Sequence, residues 1–212
     1  MLSREWYARD VHEVARDLLG AFLTARSPEG DVTVRITEVE AYAGPADPGS
    51  HAYRGRTVRN AVMFDEPGHL YVYRHLGLHH CMNVVTGPSG VASAVLLRAG
   101  EVLDGQDLAW RRRTRRGVVG TARDLARGPA RLTVCLGIDL SAYGVDLADP
   151  DGAIVLHASS SGPVEPRTGP RVGVSGAGGE AERFPWRYWL PDEPTVSAYR
   201  PAYRRPASVT VP

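Results

Sequence analysis

Apolar residues recur at two different periods along the chain, and the switches between them mark out its elements. Val11, Val14, Ala15, Leu18 and Leu19 follow Asp10 at helical spacing, with Gly20 placed as a stop, which predicts an amphipathic helix capped by Asp10. The spacing then falls to two. Val32, Val34 and Ile36 alternate with polar neighbours and run through Glu38, Val39 and Glu40 to about Tyr42, the pattern of a half-buried strand. Residues 44–55 are aperiodic and rich in Gly and Pro, which reads as a surface loop of the length that carries function.

Residues 70–73 and 78–85 are β-rich runs separated by Arg74-His75-Leu76-Gly77, a hairpin with a four-residue loop that puts Leu76 at its tip. A further strand is expected over 94–98 and a helix over 102–110. Short helices follow over 121–126 and over 129–136, the second with Pro129 in its first turn and Gly137 to close it. Residues 154–156, 171–174 and 186–190 have strand character; the segment after Thr195 shows no period and stays unassigned. Hairpin-connected strands mixed with helices, without a βαβ alternation, predict an α+β fold with a largely antiparallel sheet. There is no repeat, heptad or compositional break. The expected organisation is one domain over residues 1–197 and a proline-containing tail over 198–212.

A chain of 212 residues is long enough to bury a continuous core without staples. Cys81 and Cys135 stand singly, which excludes a disulfide scaffold, a zinc ribbon or a C-x-x-C redox motif and fits a reducing, cytoplasmic compartment. The N-terminal residues have no signal-peptide character, and no run approaches the roughly 18 apolar residues of a membrane span. Secretion and a membrane partner are therefore not expected.

The net charge of +1 hides an asymmetry. Residues 51–131 hold thirteen Arg against six acids, and the rest of the chain offsets them, a soft sign of an electropositive surface for a phosphate backbone. All 25 basic residues are Arg. Without lysine, side-chain Schiff bases, P-loop lysines and Ser–Lys dyads are excluded, leaving only the N-terminal amine for imine chemistry.

Glu38 and Glu40 lie two apart on the predicted strand and so face one side, with Val39 facing the other. A carboxylate pair of this kind suits general acid–base hydrolysis, or else marks an exposed strand edge or a carboxylate held by arginine. Tyr42, His51 and Tyr73 are the nearest polar-tipped rings, suited to stacking a planar ligand such as an extruded base, or to ordinary sheet packing. His69, His75, His79 and His80 invite a zinc reading, but His79 and His80 point to opposite faces of a strand and His75 falls in a turn, so no metal site is expected. Residues 111–116 hold five Arg, either a solvated helix end or a phosphate-contact patch. RVGVSGAGGEAE lacks the spacing of a dinucleotide motif, and nucleotide cofactors are not indicated.

Five strings, in order, go further: ITEVEAYAGPADPGSHAYRGRTVRNAVMF, PGHLYVYRHLGLHHCMNVV, VLLRAGEVLDG, ARGPARLTVCLGID and GPRVGVSGAGGEAERFPWRYWL. Together they resemble the alkyladenine (3-methyladenine) DNA glycosylase family, the methylpurine glycosylases, over about residues 10–197. The resemblance implies a single-domain α+β fold with a curved antiparallel sheet and a protruding hairpin that enters the DNA minor groove. It implies monofunctional hydrolysis of the N-glycosidic bond of a damaged purine flipped from duplex DNA. No cofactor and no metal are expected, and the expected form is a monomer that associates with the nucleoid through its DNA. It assigns Glu40 as the general base, Tyr42 and Tyr73 as the rings that sandwich the purine, His51 as a hydrogen-bonding neighbour, Asn83 as the residue that disfavours a guanine amino group, and Arg98 as support for the acid and the backbone. Two positions depart from the family pattern: Leu76 stands where a tyrosine usually fills the gap left in the duplex, and Arg131 where a lysine is common. Leucine can still act as an apolar wedge. The competing expectations are a damage-binding protein that flips lesions with little catalysis, and a metal-dependent hydrolase built on the histidines.

Overall fold

The computed structural model describes residues 1–159, 162 and 164–202 and joins the predicted pieces into a single α+β domain around one mostly antiparallel sheet. The main path of the sheet runs β3 (Leu70–His75), β4 (His79–Val85), β5 (Ala94–Asp104), β2 (Val32–Tyr42), β1 (Phe22–Ala25) and β6 (Ile154–His157). Two three-residue strands, β7 (Arg167–Gly169) and β8 (Arg187–Trp189), are added where β8 pairs with residues 38–40 of β2. The helices are α1 (Arg4–Tyr7), α2 (Val11–Asp17), α3 (Gln106–Thr114) and α4 (Pro129–Leu136).

Side-chain alternation divides the sheet into an apolar face and a polar one. Leu70, Val72, Met82, Val84, Val95 and Leu97 turn to the core, which they share with Val14 and Ala15, Leu108 and Ala109, and Leu132 and Leu136 of the covering helices. Tyr71, Tyr73, Cys81, Asn83, Leu96 and Arg98, the residues between them, face the other way and line a cavity. On β2 the core residues change parity, from Val32, Val34 and Ile36 to Val39 and Ala41. The pairing with β5 is irregular between Ile36 and Glu38 and again between Glu38 and Val39. A β-bulge that inserts one residue flips the faces beyond it, and bulges of this kind re-aim side chains at sites. Here the flip carries Glu38 and Glu40 away from the core and onto the cavity face.

Four expectations need correction. The short elements α1, β1 and β7 have no forecast in the sequence; three or four residues are too few for a period to show. The helix expected over 102–110 begins only at Gln106, because residues 101–104 continue β5 and pair with Thr33–Arg35 of β2. Gly105 makes the break at φ +73°, where a Cβ would lie 2.2 Å from the Asp31 carbonyl oxygen. The helix over 121–126 contracts to a single turn, Ala122–Asp124, closed by a Thr121–Asp124 capping box. The hairpin strands reach His75 and His79, so the loop is Leu76-Gly77-Leu78, with Leu76 at its tip as expected. Residues 171–174 form a turn and not a strand, for the reason given by Arg171 below.

Candidate active site

Glu38, Glu40 and Tyr42 occupy alternate positions at the end of β2, and neither carboxylate is exposed to solvent. Arg98 from β5 bridges the pair, its Nε 2.7 Å from Glu38 Oε1 and its Nη1 3.1 Å from Glu40 Oε1. Glu40 also accepts from the Tyr42 hydroxyl, which donates to Oε2 at 2.8 Å, and from the Val172 amide, which donates to Oε1 at 2.7 Å. Glu38 takes a second guanidinium, Arg187 Nε at 2.7 Å. Burial opposes its charged form, but Arg98 and Arg187 outweigh burial and hold its carboxyl below the usual range. Burial likewise opposes the charge on Arg98, and Glu40 and Glu38 more than restore it.

A second buried ion pair builds the walls. Arg171 has no exposed surface in its side chain and reaches Asp47 with both terminal nitrogens, at 2.6 and 2.7 Å. It also donates to the carbonyls of Ala41 and Gly178 at 3.0 and 2.7 Å. Its guanidinium lies 4.5 Å from the centre of the Tyr42 ring and does not line the cavity, so it backs the ring from the side away from it. Drawing Arg171 inward turns the chain at Val172 and aims that amide at Glu40, which is why no strand forms there. Gly49 leaves room for the guanidinium: a Cβ on it would fall 2.4 Å from Arg171 Nη2.

The cavity encloses about 480 Å³, within the range of small-molecule sites. Glu40, Tyr42, His51, Tyr73, Asn83 and Arg98, the six residues singled out for catalysis and base binding, all line it. Tyr73 stacks on Tyr71 at 5.3 Å, and His51 meets the Tyr73 ring edge-on at 4.6 Å. His51 Nδ1 lies 3.0 Å from the Tyr71 hydroxyl, and Asn83 donates to the Tyr71 carbonyl at 3.0 Å. Cys81, beside Tyr73, also lines the cavity, where burial raises its thiol and leaves it unreactive.

Desolvation, with Arg59 and His75 nearby, pushes His51 down to about 4, so the ring is neutral at physiological pH. An unfolded histidine titrates near about 6.5, so between these values the unfolded chain binds the extra proton. Stability from this group is complete above about pH 6.5 and falls as the pH drops toward about 4. A His51→Asn variant is expected to show a flatter melting temperature between about pH 7 and pH 5 than the parent; parallel profiles contradict the assignment.

Leu76 lies outside the cavity, on the hairpin that carries Tyr73. It is 79% exposed, and Leu78 beside it is 75% exposed. Leu76 and Gly77 both have positive φ, at 49° and 69°, and Leu78 donates to the His75 carbonyl, a tight type I′-like turn.

The family model described as methylpurine-DNA glycosylase matches residues 5–194. The chain belongs to the methylpurine-DNA glycosylase family. Relatives carrying the name "Putative 3-methyladenine DNA glycosylase" match it almost end to end. That of Leifsonia xyli is 57% identical, over 97% of this chain and 94% of its own length. Those of Streptomyces avermitilis and Nocardia farcinica are 54% and 52% identical, over 94% and 100% of this chain and 92% and 97% of their own lengths.

Several other features of this methylpurine-DNA glycosylase family member find a place. In the Arg run, Arg112 and Arg113 are buried; Arg112 holds Glu29 and Ser27, and Arg113 donates to the Leu125 carbonyl. Those two belong to the fold, which neither reading of the run foresaw, while Arg111, Arg115 and Arg116 remain exposed. His75 and His79 face each other across the hairpin, and among the described residues no three His, Cys, Asp or Glu side chains gather as a metal site requires. No helix among those residues is long and apolar enough to cross a membrane. Sequence reasoning missed Tyr71, Asp47, Arg171, Arg187 and the Val172 amide. Only Tyr71 carried a signal, its period-two relation to Tyr73.

Proposed function

We propose that the protein is a monofunctional DNA glycosylase that hydrolyses the N-glycosidic bond of alkylated or deaminated purines flipped out of duplex DNA. The observation that carries this reading is a buried carboxylate, Glu40, held by Arg98, Tyr42 and the Val172 amide on the wall of a cavity lined by Tyr42, Tyr73 and His51, with one acceptor site of Oε2 left for water. A flipped purine stacks between Tyr42 and Tyr73. Cleavage passes through an oxocarbenium-like state, so a carboxylate beside the sugar both stabilises the developing charge and takes the proton from attacking water. Neutral His51 hydrogen-bonds the base without repelling a cationic lesion, and Asn83 restricts guanine-type bases.

The absence of lysine from all 212 residues supports hydrolysis over a Schiff-base lyase route. With a duplex containing one hypoxanthine, in EDTA, free base is expected to appear while the strand stays intact until alkali is added. Strand breakage before alkali, or a covalent adduct trapped by borohydride, overturns the monofunctional reading.

Leu76 acts as the wedge that fills the vacated stack, a side chain with less stacking surface than an aromatic ring. Leu76→Tyr is expected to tighten binding to a lesion duplex by several-fold, as read by a titration at fixed salt. Equal affinity of the two proteins removes the wedge assignment.

A further inference from the structure

The family match ends at residue 194, yet the next residues reach into the carboxylate cluster. Ser197 is the point of contact. Its amide donates to Glu38 Oε2 at 2.7 Å and its hydroxyl to Glu38 Oε1 at 2.9 Å. Its Oγ also accepts from Arg98 Nη2 at 3.3 Å, and its carbonyl accepts from Arg187 Nη2 at 2.7 Å. One serine thus touches the second carboxylate and both of its arginines. The segment is anchored on either side: Thr195 Oγ1 lies 2.9 Å from Thr37 Oγ1, Arg127 Nε donates to the Val196 carbonyl at 3.0 Å, and the Gly173 amide donates to the Arg200 carbonyl at 3.0 Å.

These contacts converge on Glu40 from two sides. Arg98 is held by Glu38 through Nε and by Ser197 through Nη2, which leaves Nη1 directed at Glu40. Gly173, tied to Arg200, directly follows Val172, the backbone donor to the same carboxylate oxygen. A planar guanidinium fixed at two nitrogens has no freedom left at the third. We propose that Ser197 is a positioning residue: the C-terminal segment 195–200 straps the Glu38–Arg98 pair in place, and through Arg98 it fixes the Glu40 carboxylate beside the scissile bond. Glu40 meets the substrate, and Ser197 acts only through Arg98 and Glu38.

This proposal rests on the glycosylase reading, and the test separates the two. Single-turnover base release and equilibrium binding are measured on a hypoxanthine duplex for the full-length protein, Ser197→Ala and Ser197→Thr. Small misplacements of catalytic groups slow chemistry by up to about 100-fold, so Ser197→Ala is expected to lose roughly 10- to 100-fold in the single-turnover rate. Its affinity for the duplex is expected to stay within about two-fold, since contacts made only in the transition state leave ground-state binding alone. Ser197→Thr, which restores the hydroxyl, is expected to recover most of the rate. An unchanged rate in Ser197→Ala overturns the positioning role. So does a loss confined to affinity, or one that Ser197→Thr does not recover. No release of base by the unaltered protein overturns the glycosylase reading itself, and the role of Ser197 with it.

Discussion

Asp47→Ala is expected to lower folding stability by roughly 3–5 kcal/mol, because it leaves Arg171 charged, buried and without its partner. Both side chains are fully shielded from solvent, and the carboxylate also accepts the Ala43 and Gly49 amides, so its removal strands those two donors as well. For a chain of this length each kcal/mol moves the midpoint by about 2–4 °C, which puts the melting temperature roughly 6–20 °C lower. The loss comes from the stranded charge more than from the bond itself. Replacing the pair together, Asp47→Asn with Arg171→Met, is therefore expected to recover much of it. Thermal melts of the three proteins check this, and an Asp47→Ala midpoint within about 3 °C of the parent contradicts it.

Glu40→Gln is expected to bring the largest loss of activity. Glutamine keeps the shape, and its carbonyl can still accept from Arg98 and the Val172 amide. It carries no negative charge and cannot take a proton from water. General-base catalysis alone accounts for about 10²–10⁴-fold in rate, and loss of charge beside an oxocarbenium-like centre adds to that. Binding of the lesion duplex should survive, because Arg98 keeps Glu38 as a partner at 2.7 Å and the aromatic walls do not depend on Glu40 alone.

What the sequence disclosed about the site follows from the range of the interactions involved. Glu38 and Glu40 share a face by local period, Tyr73 sits on a hairpin punctuated by Gly77, and α4 is bracketed by Pro129 and Gly137; each signal lies within one element. The rest is long-range. Arg171 meets Asp47 across 124 residues, Arg187 meets Glu38 across 149, and Ser197 meets it across 159. Nothing near an arginine in the chain distinguishes a buried one from a surface one, so Arg171 sat within an apparent strand and Arg112 within an apparent surface run. The bulge in β2 was written in the parity change from Val32, Val34 and Ile36 to Val39 and Ala41, a signal visible only when the strand is read as two registers.

The role proposed for Glu40 is to activate the water that displaces a damaged purine from its sugar. Its most direct test is a single-turnover assay on duplexes bearing hypoxanthine or ethenoadenine, in EDTA, with alkali added only after the reaction, comparing the parent with Glu40→Gln alongside a binding titration. Release of base by the parent, with release lost and binding kept in Glu40→Gln, is the predicted result. Tight binding of the lesion duplex by both proteins with no base released by either would contradict it and leave a protein that recognises damage without removing it.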